Sequence, residues 1–229
     1  MSRHTKIVAT LGPASSSTEV LERLVQAGID VVRLNFSHGT SGDHLERATS
    51  VREIAARLGR TVGILGDLQG PKIRIGKFEN GKILLVAGAP FILDAKCGTG
   101  NQERVGLDYL DLPKDVRIGD ILLLDDGRLK LEVTGVRGPE IHTKVLVGGE
   151  LSNNKGINRQ GGGLTAPALT AKDMDDIKTA AQIGVDFVAV SFPKSAADMY
   201  MARQLMRAAG STAVLIAKIE RVEAITNLA

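Results

Sequence analysis

The fold of this chain is decided by the segment Ile29-Asp30-Val31-Val32-Arg33-Leu34-Asn35-Phe36-Ser37-His38-Gly39. Its mostly apolar beginning is typical of a buried strand, and polar and apolar residues alternate from residue 33 onward. Because successive side chains of a strand point to opposite faces, a strand continued through this segment would aim Arg33, Asn35 and Ser37 the same way. Polar groups buried together at the end of a strand need hydrogen-bonding or ionic partners. A bound ligand would supply them, so the pattern predicts a ligand site. A half-exposed strand with a polar outer face would show the same alternation.

Strands and helices alternate on both sides of this segment. The predicted strands cover residues 6–11, 29–36 and 62–68, and the predicted helices cover residues 17–28 and 43–58. Units of this length predict a parallel sheet with right-handed crossovers, either closed into a barrel or open and covered on both faces. The apolar positions predicted to face the core from the second helix are Leu45, Ala48, Val51, Ile54, Ala55 and Leu58.

The pattern changes after Gly70-Pro71. Residues 72–166 show short strands, no helical period, and the turn sequences Glu79-Asn80-Gly81, Asp125-Asp126-Gly127 and Gly148-Gly149. We predict an all-β domain at residues 72–166, inserted into an α/β domain made of residues 1–71 and 167–229. The α/β pattern resumes with helices at 170–183 and 195–209 and strands at 187–191 and 213–219. Five strand-helix units are too few to close an eight-stranded barrel.

Composition argues against several classes of protein. The 29 basic and 26 acidic residues give a net charge of +3, and aromatic residues make up 3% of the chain. This predicts no nucleic-acid partner, because the charge excess is small and few rings are present to stack on bases. Cys97 is the single cysteine, which favours a reducing compartment. No segment approaches the roughly 18 to 20 apolar residues that span a bilayer, so the expected location is the cytoplasm, without a membrane partner.

Polar residues gather at the predicted carboxyl ends of the strands, the edge where parallel α/β folds place their sites. Lys218 and Glu220 are two residues apart and would lie on the same side of a strand. A cation and a carboxylate so placed suit an oxyanion bound beside a divalent metal, although a structural ion pair would give the same pattern. The full set of candidates at this edge is Arg33, Asn35, Ser37, Asp67, Ser191, Lys218 and Glu220.

Six segments, in order along nearly the whole chain, carry a resemblance to a known family. They are 5–15 (Thr-Lys-Ile-Val-Ala-Thr-Leu-Gly-Pro-Ala-Ser), 33–39, 66–74 (Gly-Asp-Leu-Gln-Gly-Pro-Lys-Ile-Arg), 125–127, 154–158 (Asn-Lys-Gly-Ile-Asn) and 218–220. Together they resemble the pyruvate kinase family, of the bacterial kind. The resemblance implies a (β/α)8 TIM barrel, called the A domain, interrupted by a β-rich lid, the B domain. It implies transfer of a phosphoryl group from phosphoenolpyruvate to ADP, giving pyruvate and ATP in glycolysis.

The resemblance also assigns roles to single residues. Arg33 and Lys218 are the expected catalytic residues and bind phosphoenolpyruvate together with Ser191. Glu220 is the expected ligand of Mg²⁺ or Mn²⁺. The residues expected to contact ADP or ATP are Asn35, His38, Arg74 and Lys155, the last two near the joints of the lid.

A monovalent-cation site is implied at Asn35, Ser37, Asp67 and the backbone of Leu68. Many relatives have a glutamate where this chain has Lys72, and in the family that glutamate accompanies dependence on K⁺. A fixed ammonium at Lys72 would supply the positive charge that the bound ion otherwise brings. We therefore expect activity that needs no added K⁺, although the site is partly retained.

Relatives continue beyond residue 229 with a further metal-binding aspartate and a regulatory domain, and are usually tetramers. We expect the full-length parent to be a homotetramer and residues 1–229 alone to be inactive or nearly so. Two other hypotheses remain open. One is a Mg²⁺-dependent barrel lyase acting on phosphoenolpyruvate or pyruvate, which leaves the basic residues of the lid without an obvious use. The other is a non-catalytic fragment with a binding or assembly role.

Overall fold

The computed structural model describes residues 4–228, so Met1 to Arg3 and Ala229, which the predicted domains include, lie outside the described residues. The chain divides into two compact units. The first, here called the α/β unit, extends to Pro71 and resumes at Pro167, and the second, here called the inserted unit, is Lys72–Ala166.

The bounds of the elements follow in chain order. The strands are β1 (Val8–Leu11), β2 (Val31–Asn35), β3 (Gly63–Asp67), β4 (Lys77–Phe78), β5 (Lys82–Leu85), β6 (Pro90–Asp94), β7 (Thr99–Gly100), β8 (Arg104–Gly106), β9 (Ile121–Leu124), β10 (Leu129–Arg137), β11 (Glu140–Val147), β12 (Gly149–Ser152), β13 (Ile157–Arg159), β14 (Phe187–Val190) and β15 (Val214–Ala217). The helices are α1 (Thr18–Gln26), α2 (Ser41–Arg57), α3 (Leu112–Asp115), α4 (Ala171–Ile183), α5 (Ala196–Ala208) and α6 (Val222–Thr226), with one 3₁₀ turn at Pro13–Ser15.

The α/β unit is built on one parallel sheet with the strand order β1-β2-β3-β14-β15. Val32, Leu34 and Ile64 are fully buried and pack in a single core with the helices. Because every strand runs in the same direction, the carboxyl ends of all five lie at one edge of the sheet. The predicted α/β fold is confirmed here, whereas closure into eight strands stays a prediction, since the described residues contribute five strands to this sheet.

The helices of this unit begin at the residue types that the sequence indicates. Thr40 and Asp43 form a capping box at the start of α2, and Thr170 and Asp173 form one at the start of α4. Gly184 ends α4 with a φ of 65°, which glycine adopts without strain. No helix within residues 4–228 is long and apolar enough to cross a membrane.

The predicted core face of α2 is wrong at its first position. Leu45 is exposed, whereas His44 is buried with Ala48, Val51 and Ala55. Residues 44, 48, 51 and 55 follow helical spacing, which rotates residue 45 by about 100° away from the core. A pattern read from apolar residues alone missed the histidine that completes this face.

The strand predicted at residues 29–36 is shorter in the structure, so Ser37 does not continue the alternation of Arg33 and Asn35. β2 ends at Asn35, and residues 36 and 37 form a turn. The N–H of Ser37 donates to Oδ1 of Asn35 at 3.1 Å, and the N–H of His38 donates to the carbonyl of Asn35 at 3.1 Å. The asparagine side chain thus replaces the sheet as the acceptor and ends the strand.

The inserted unit has its own core and is mainly antiparallel. Its largest sheet has the order β13-β9-β10-β11-β6-β8, in which only β6 and β8 pair in parallel. Residues 125–127 join β9 and β10 with φ values of 49°, 56° and 87°, as expected of a turn sequence Asp-Asp-Gly. The inserted unit was predicted to be all-β, and this is wrong because the unit contains one turn of helix. This turn is α3, which has Pro113 in its first turn, a position that favours helix initiation.

Candidate active site

The carboxylate of Asp67 lies between two cations at the carboxyl edge of the parallel sheet. Its side chain is 3% exposed. Nε of Arg33 donates to Oδ2 of Asp67 at 2.7 Å, and Nη2 of Arg33 lies 2.5 Å from the same oxygen. Nζ of Lys218 lies 3.2 Å from Oδ1 and 3.4 Å from Oδ2. Residues 33 and 218, which are far apart in sequence, are therefore brought to one buried carboxylate.

Ser191 connects Lys218 to the end of β3. Nζ of Lys218 donates to Oγ of Ser191 at 2.8 Å, and Oγ of Ser191 donates to the carbonyl of Leu68 at 2.6 Å. Ser191 is 1% exposed, whereas the side chains of Lys218 and Arg33 are 31% and 30% exposed. Each cation is thus fixed on its buried side and open on the other, an arrangement that suits a charge-assisted bond to an incoming anion.

Glu220 lies at the outer side of the same cluster. Its Oε1 is 3.5 Å from Nζ of Lys218, and its Oε2 accepts the N–H of Phe192 at 3.3 Å. Phe192 has a φ of 58°, a left-handed conformation that few residues other than glycine adopt. The strand predicted to reach residue 219 ends at Ala217, so Lys218 and Glu220 meet in the loop that follows β15 rather than on the strand itself.

The described residues fit a magnesium ion only in part. Among residues 4–228, no three histidine, cysteine, aspartate or glutamate side chains are grouped so that they could hold a metal ion. Mg²⁺ is usually held by one or two carboxylates, with waters and substrate oxygens completing its coordination. Glu220, whose side chain is 34% exposed and lies beside Lys218, fits as one such carboxylate.

Three of the four residues that the resemblance assigns to a monovalent cation, Asn35, Asp67 and Leu68, have oxygens that already bind partners within the protein. Oδ1 of Asn35 accepts the N–H of Ser37, and the carbonyl of Leu68 accepts the hydroxyl of Ser191. Both oxygens of Asp67 are paired with the two cations described above. Ser37 lies in the turn after β2, and His38 follows it at the surface.

The three basic candidates of the inserted unit lie on two short chain segments that run side by side. They are Lys72, Arg74 and Lys155. Arg74 pairs with Gly156 in an antiparallel bridge, and the N–H of Ile75 donates to the carbonyl of Lys155 at 2.9 Å. The side chain of Lys72 lies next to Gly156, because a Cβ placed on Gly156 would be 3.5 Å from Cε of Lys72. Residues from both ends of the inserted unit are thus joined side by side.

Arg74 and Lys155 have internal partners. Nη1 of Arg74 donates to the carbonyl of Asn154 at 2.9 Å, and the N–H of Arg74 donates to Oδ1 of Asp108 at 2.7 Å. Nζ of Lys155 lies 2.7 Å from Oδ1 of Asp125, and this hydrogen bond lowers the pKa of Asp125. A cavity of about 340 Å³ beside this pair is lined by Asp125, Lys155, Arg128, Leu129, Glu150 and Ser152.

Sequence reasoning missed two residues of the cluster in the α/β unit. Oγ1 of Thr10 accepts a hydrogen bond from Nη1 of Arg33 at 3.1 Å. The signal was available, because Thr10 is the penultimate residue of a predicted strand and pairs in register with Arg33 on the neighbouring one. Phe192 carried no such signal, since its role rests on a backbone conformation that residue type does not indicate.

Comparison with known proteins gives the family. The model of the family described as "Pyruvate kinase, barrel domain" matches residues 2–229. The chain is similar to "Pyruvate kinase" of Haemophilus influenzae, with 59% identity over 227 residues that cover 98% of this chain and 48% of the relative. It is similar to "Pyruvate kinase II" of Salmonella typhimurium, with 59% identity and coverage of 98% and 47%. For "Pyruvate kinase" of Corynebacterium glutamicum, identity is 45% and coverage is 100% and 48%.

The chain spans about half the length of the curated relatives it matches. The match nevertheless covers all of the sequence except its first residue, and it includes both structural units. The parallel α/β sheet with a polar cluster at its carboxyl edge agrees with a barrel domain. The chain belongs to the pyruvate kinase family.

Proposed function

We propose that the protein containing these residues transfers the phosphoryl group of phosphoenolpyruvate to ADP, giving pyruvate and ATP. One observation carries the proposal. Arg33 and Lys218 are fixed on a single buried carboxylate, while their side chains stay 30% and 31% exposed. The identity of 59% to proteins named pyruvate kinase supports the same reaction.

Arg33 and Lys218 bind the phosphoryl group, and Lys218 also stabilises the negative charge that develops on the enolate oxygen. Phosphoryl transfer leaves little covalent chemistry to the protein, so catalysis comes from placing charges correctly before the reaction. Asp67 and Ser191 hold both cations in place on their buried side. The enolate is then protonated at carbon 3 to give pyruvate.

Glu220 supplies a carboxylate ligand for Mg²⁺ or Mn²⁺. When bound, the ion neutralises charge on the phosphoryl oxygens. Nζ of Lys218 lies 3.5 Å from Oε1 of this carboxylate, so the metal ligand adjoins the cation that binds the phosphoryl group. The remaining ligands come from substrate oxygens and from residues outside the described chain.

The nucleotide contacts Asn35 and His38 from the α/β unit and Arg74 and Lys155 from the inserted unit. In this proposal residues 72–166 form a lid that closes over the nucleotide and excludes water, and residues 1–71 and 167–229 form part of a TIM barrel. The protein acts in the cytoplasm as a homotetramer. Lys72 takes the place of K⁺ at the partly retained site of Asn35, Ser37, Asp67 and Leu68.

The test is a coupled assay of pyruvate formation with the protein at its natural length. We expect Lys218→Met to lower kcat by about 10² to 10³, since it removes a charge that acts on the transition state. The control is Lys178→Met, because Lys178 is exposed and pairs only with Asp175 on the surface of α4. The wild type should also keep its rate when tetramethylammonium replaces K⁺. Absence of pyruvate formation by the wild type, or full activity of Lys218→Met, would overturn the assignment.

A further inference from the structure

The turn after β2 is held by a residue that none of the roles above includes. Nζ of Lys172, in the first turn of α4, donates to the carbonyl of Phe36 at 2.7 Å. The same ammonium donates to Oδ2 of Asp176 at 2.6 Å, one helical turn further along α4. Lys172 therefore connects a carboxylate on its own helix to a backbone carbonyl 136 residues away in sequence.

Phe36 is fixed at three points. Its N–H donates to the carbonyl of Asp67 at 3.0 Å, and its carbonyl accepts from Lys172. Its ring is 2% exposed and meets the ring of His44 edge-on, with 4.7 Å between centroids. Phe36 is also the first residue of the turn in which Asn35 accepts the N–H groups of Ser37 and His38.

The ammonium separates two acceptors that would otherwise face each other. Both the carbonyl of Phe36 and the carboxylate of Asp176 bind Nζ of Lys172, so their oxygens lie close together. Asp176 is 9% exposed, and burial raises its pKa even though the hydrogen bond from Lys172 opposes the rise. Removal of the ammonium leaves a buried carboxylate and an unpaired carbonyl side by side, which favours displacement of the turn.

A second lysine on the same helix shows what an ordinary surface pair looks like. Lys178 pairs with Asp175 at 2.8 Å, with side chains 69% and 74% exposed. The pair of Lys172 differs from this surface pair in two respects, the burial of its carboxylate and the bond to a backbone carbonyl. This makes Lys178 a matched control.

We propose that Lys172, oriented by Asp176, is a positioning residue that fixes residues 36–39 and so places Asn35 and His38 for the nucleotide. The inference rests on the proposed function for its nucleotide part. The ordering of the turn does not depend on the proposed function, because it is a property of the α/β unit alone. The two parts are measured separately.

The first measurement is hydrogen exchange of the backbone amides of residues 37 and 38 in the protein at its natural length. We expect Lys172→Met to speed exchange of these amides by about tenfold, the effect of losing one hydrogen bond to a charged group. Exchange should stay unchanged in Lys178→Met. Equal exchange in the two variants would overturn the inference, whatever the enzyme does.

The second measurement separates KM from kcat. We expect Lys172→Met to raise KM for ADP by about tenfold, with kcat and KM for phosphoenolpyruvate within about twofold of wild type. Lys172→Arg, which keeps a donor, should recover part of the loss. The double variant Lys172→Met with Asp176→Leu removes the unpaired carboxylate and so protects the fold, and it should show the same raised KM.

The outcomes separate the two proposals. If the wild type forms no pyruvate, the proposed function fails, and the exchange rates still decide whether Lys172 orders the turn. If the wild type is active and Lys172→Met changes both KM values equally, or neither, the positioning role is refuted.

Discussion

The two units of this protein treat their basic side chains differently. In the α/β unit, Arg33 and Lys218 share a carboxylate whose side chain is 3% exposed. In the inserted unit, Lys155 pairs with the more accessible Asp125, and Arg74 donates to a backbone carbonyl. A buried charge needs its partner to stay in the folded protein, whereas a surface pair is screened and can exchange partners. The α/β unit thus has a site built before any ligand arrives, and the inserted unit has charges free to be redirected.

The largest expected effect tests the buried side of this comparison. Asp67→Asn keeps the shape of the side chain but leaves Arg33 and Lys218 without a counter-charge. We expect it to lower the free energy of unfolding by about 3 to 5 kcal/mol, as for other buried ion pairs that lose one partner. The measurement is urea unfolding at neutral pH.

The control is the exposed pair of the inserted unit. Lys82 and Glu150 lie 2.6 Å apart with side chains 61% and 60% exposed. Glu150→Gln should change the free energy of unfolding by less than about 1 kcal/mol. Similar losses for Asp67→Asn and Glu150→Gln would break the comparison, because burial would then make no difference.

A smaller effect is expected from glycine at the same edge of the sheet. Gly70 has a φ of 65°, and a Cβ there would lie 2.9 Å from both Cβ and the carbonyl oxygen of Ser191. Gly59 has a φ of 61° but nothing within 4 Å of such a Cβ. Backbone strain should lower the free energy of unfolding of both alanine variants by about 1 kcal/mol. Steric overlap with Ser191 should lower that of Gly70→Ala by about 1 to 3 kcal/mol more.

Thermal unfolding of the two variants measures the difference directly. Because Ser191 holds Lys218, we also expect Gly70→Ala to slow pyruvate formation, whereas Gly59→Ala should not. Equal melting temperatures would mean that the backbone around Ser191 can move aside, contrary to a site that is built in advance.

The sequence predicted more of the fold than of the contacts. Helical and strand periods placed five strands and four helices of the α/β unit within a few residues, because burial of one face decides both. The short helix α6 was not predicted. Alternation and strand ends also indicated Arg33, Asp67 and Lys218. The contact between Lys172 and Phe36 could not be predicted, since it depends on how α4 docks against the sheet, which periodicity does not encode. Local competition by Asn35 ended β2 early, against the alternating pattern.

The smallest expected effect concerns two aspartates of the inserted unit beside its basic residues. Burial raises the pKa of Asp108, although the N–H of Arg74 opposes the rise. The hydrogen bond from Lys155 lowers the pKa of Asp125. A raised pKa means that the folded state binds the proton more tightly than the unfolded state does, so stability from Asp108 is present at low pH and is lost as pH rises through the raised value. For Asp125 the sign is opposite, and stability is lost as pH falls through the lowered value.

The two opposite pH dependences of stability are tested by comparing Asp108→Asn and Asp125→Asn with the wild type. As pH falls from 7 to 3, the wild type should gain stability relative to Asp108→Asn, in unfolding experiments at constant ionic strength. Its loss of stability relative to Asp125→Asn should begin only at about pH 4, the ordinary pKa of an aspartate. High salt should reduce the difference for Asp125→Asn more than that for Asp108→Asn, because ions screen the attraction between opposite charges more than they change a desolvation effect. The same slope for both variants would mean that the ion pair with Lys155 does not set the pH dependence of Asp125. The claim that charged side chains of the inserted unit can exchange partners would then have no support.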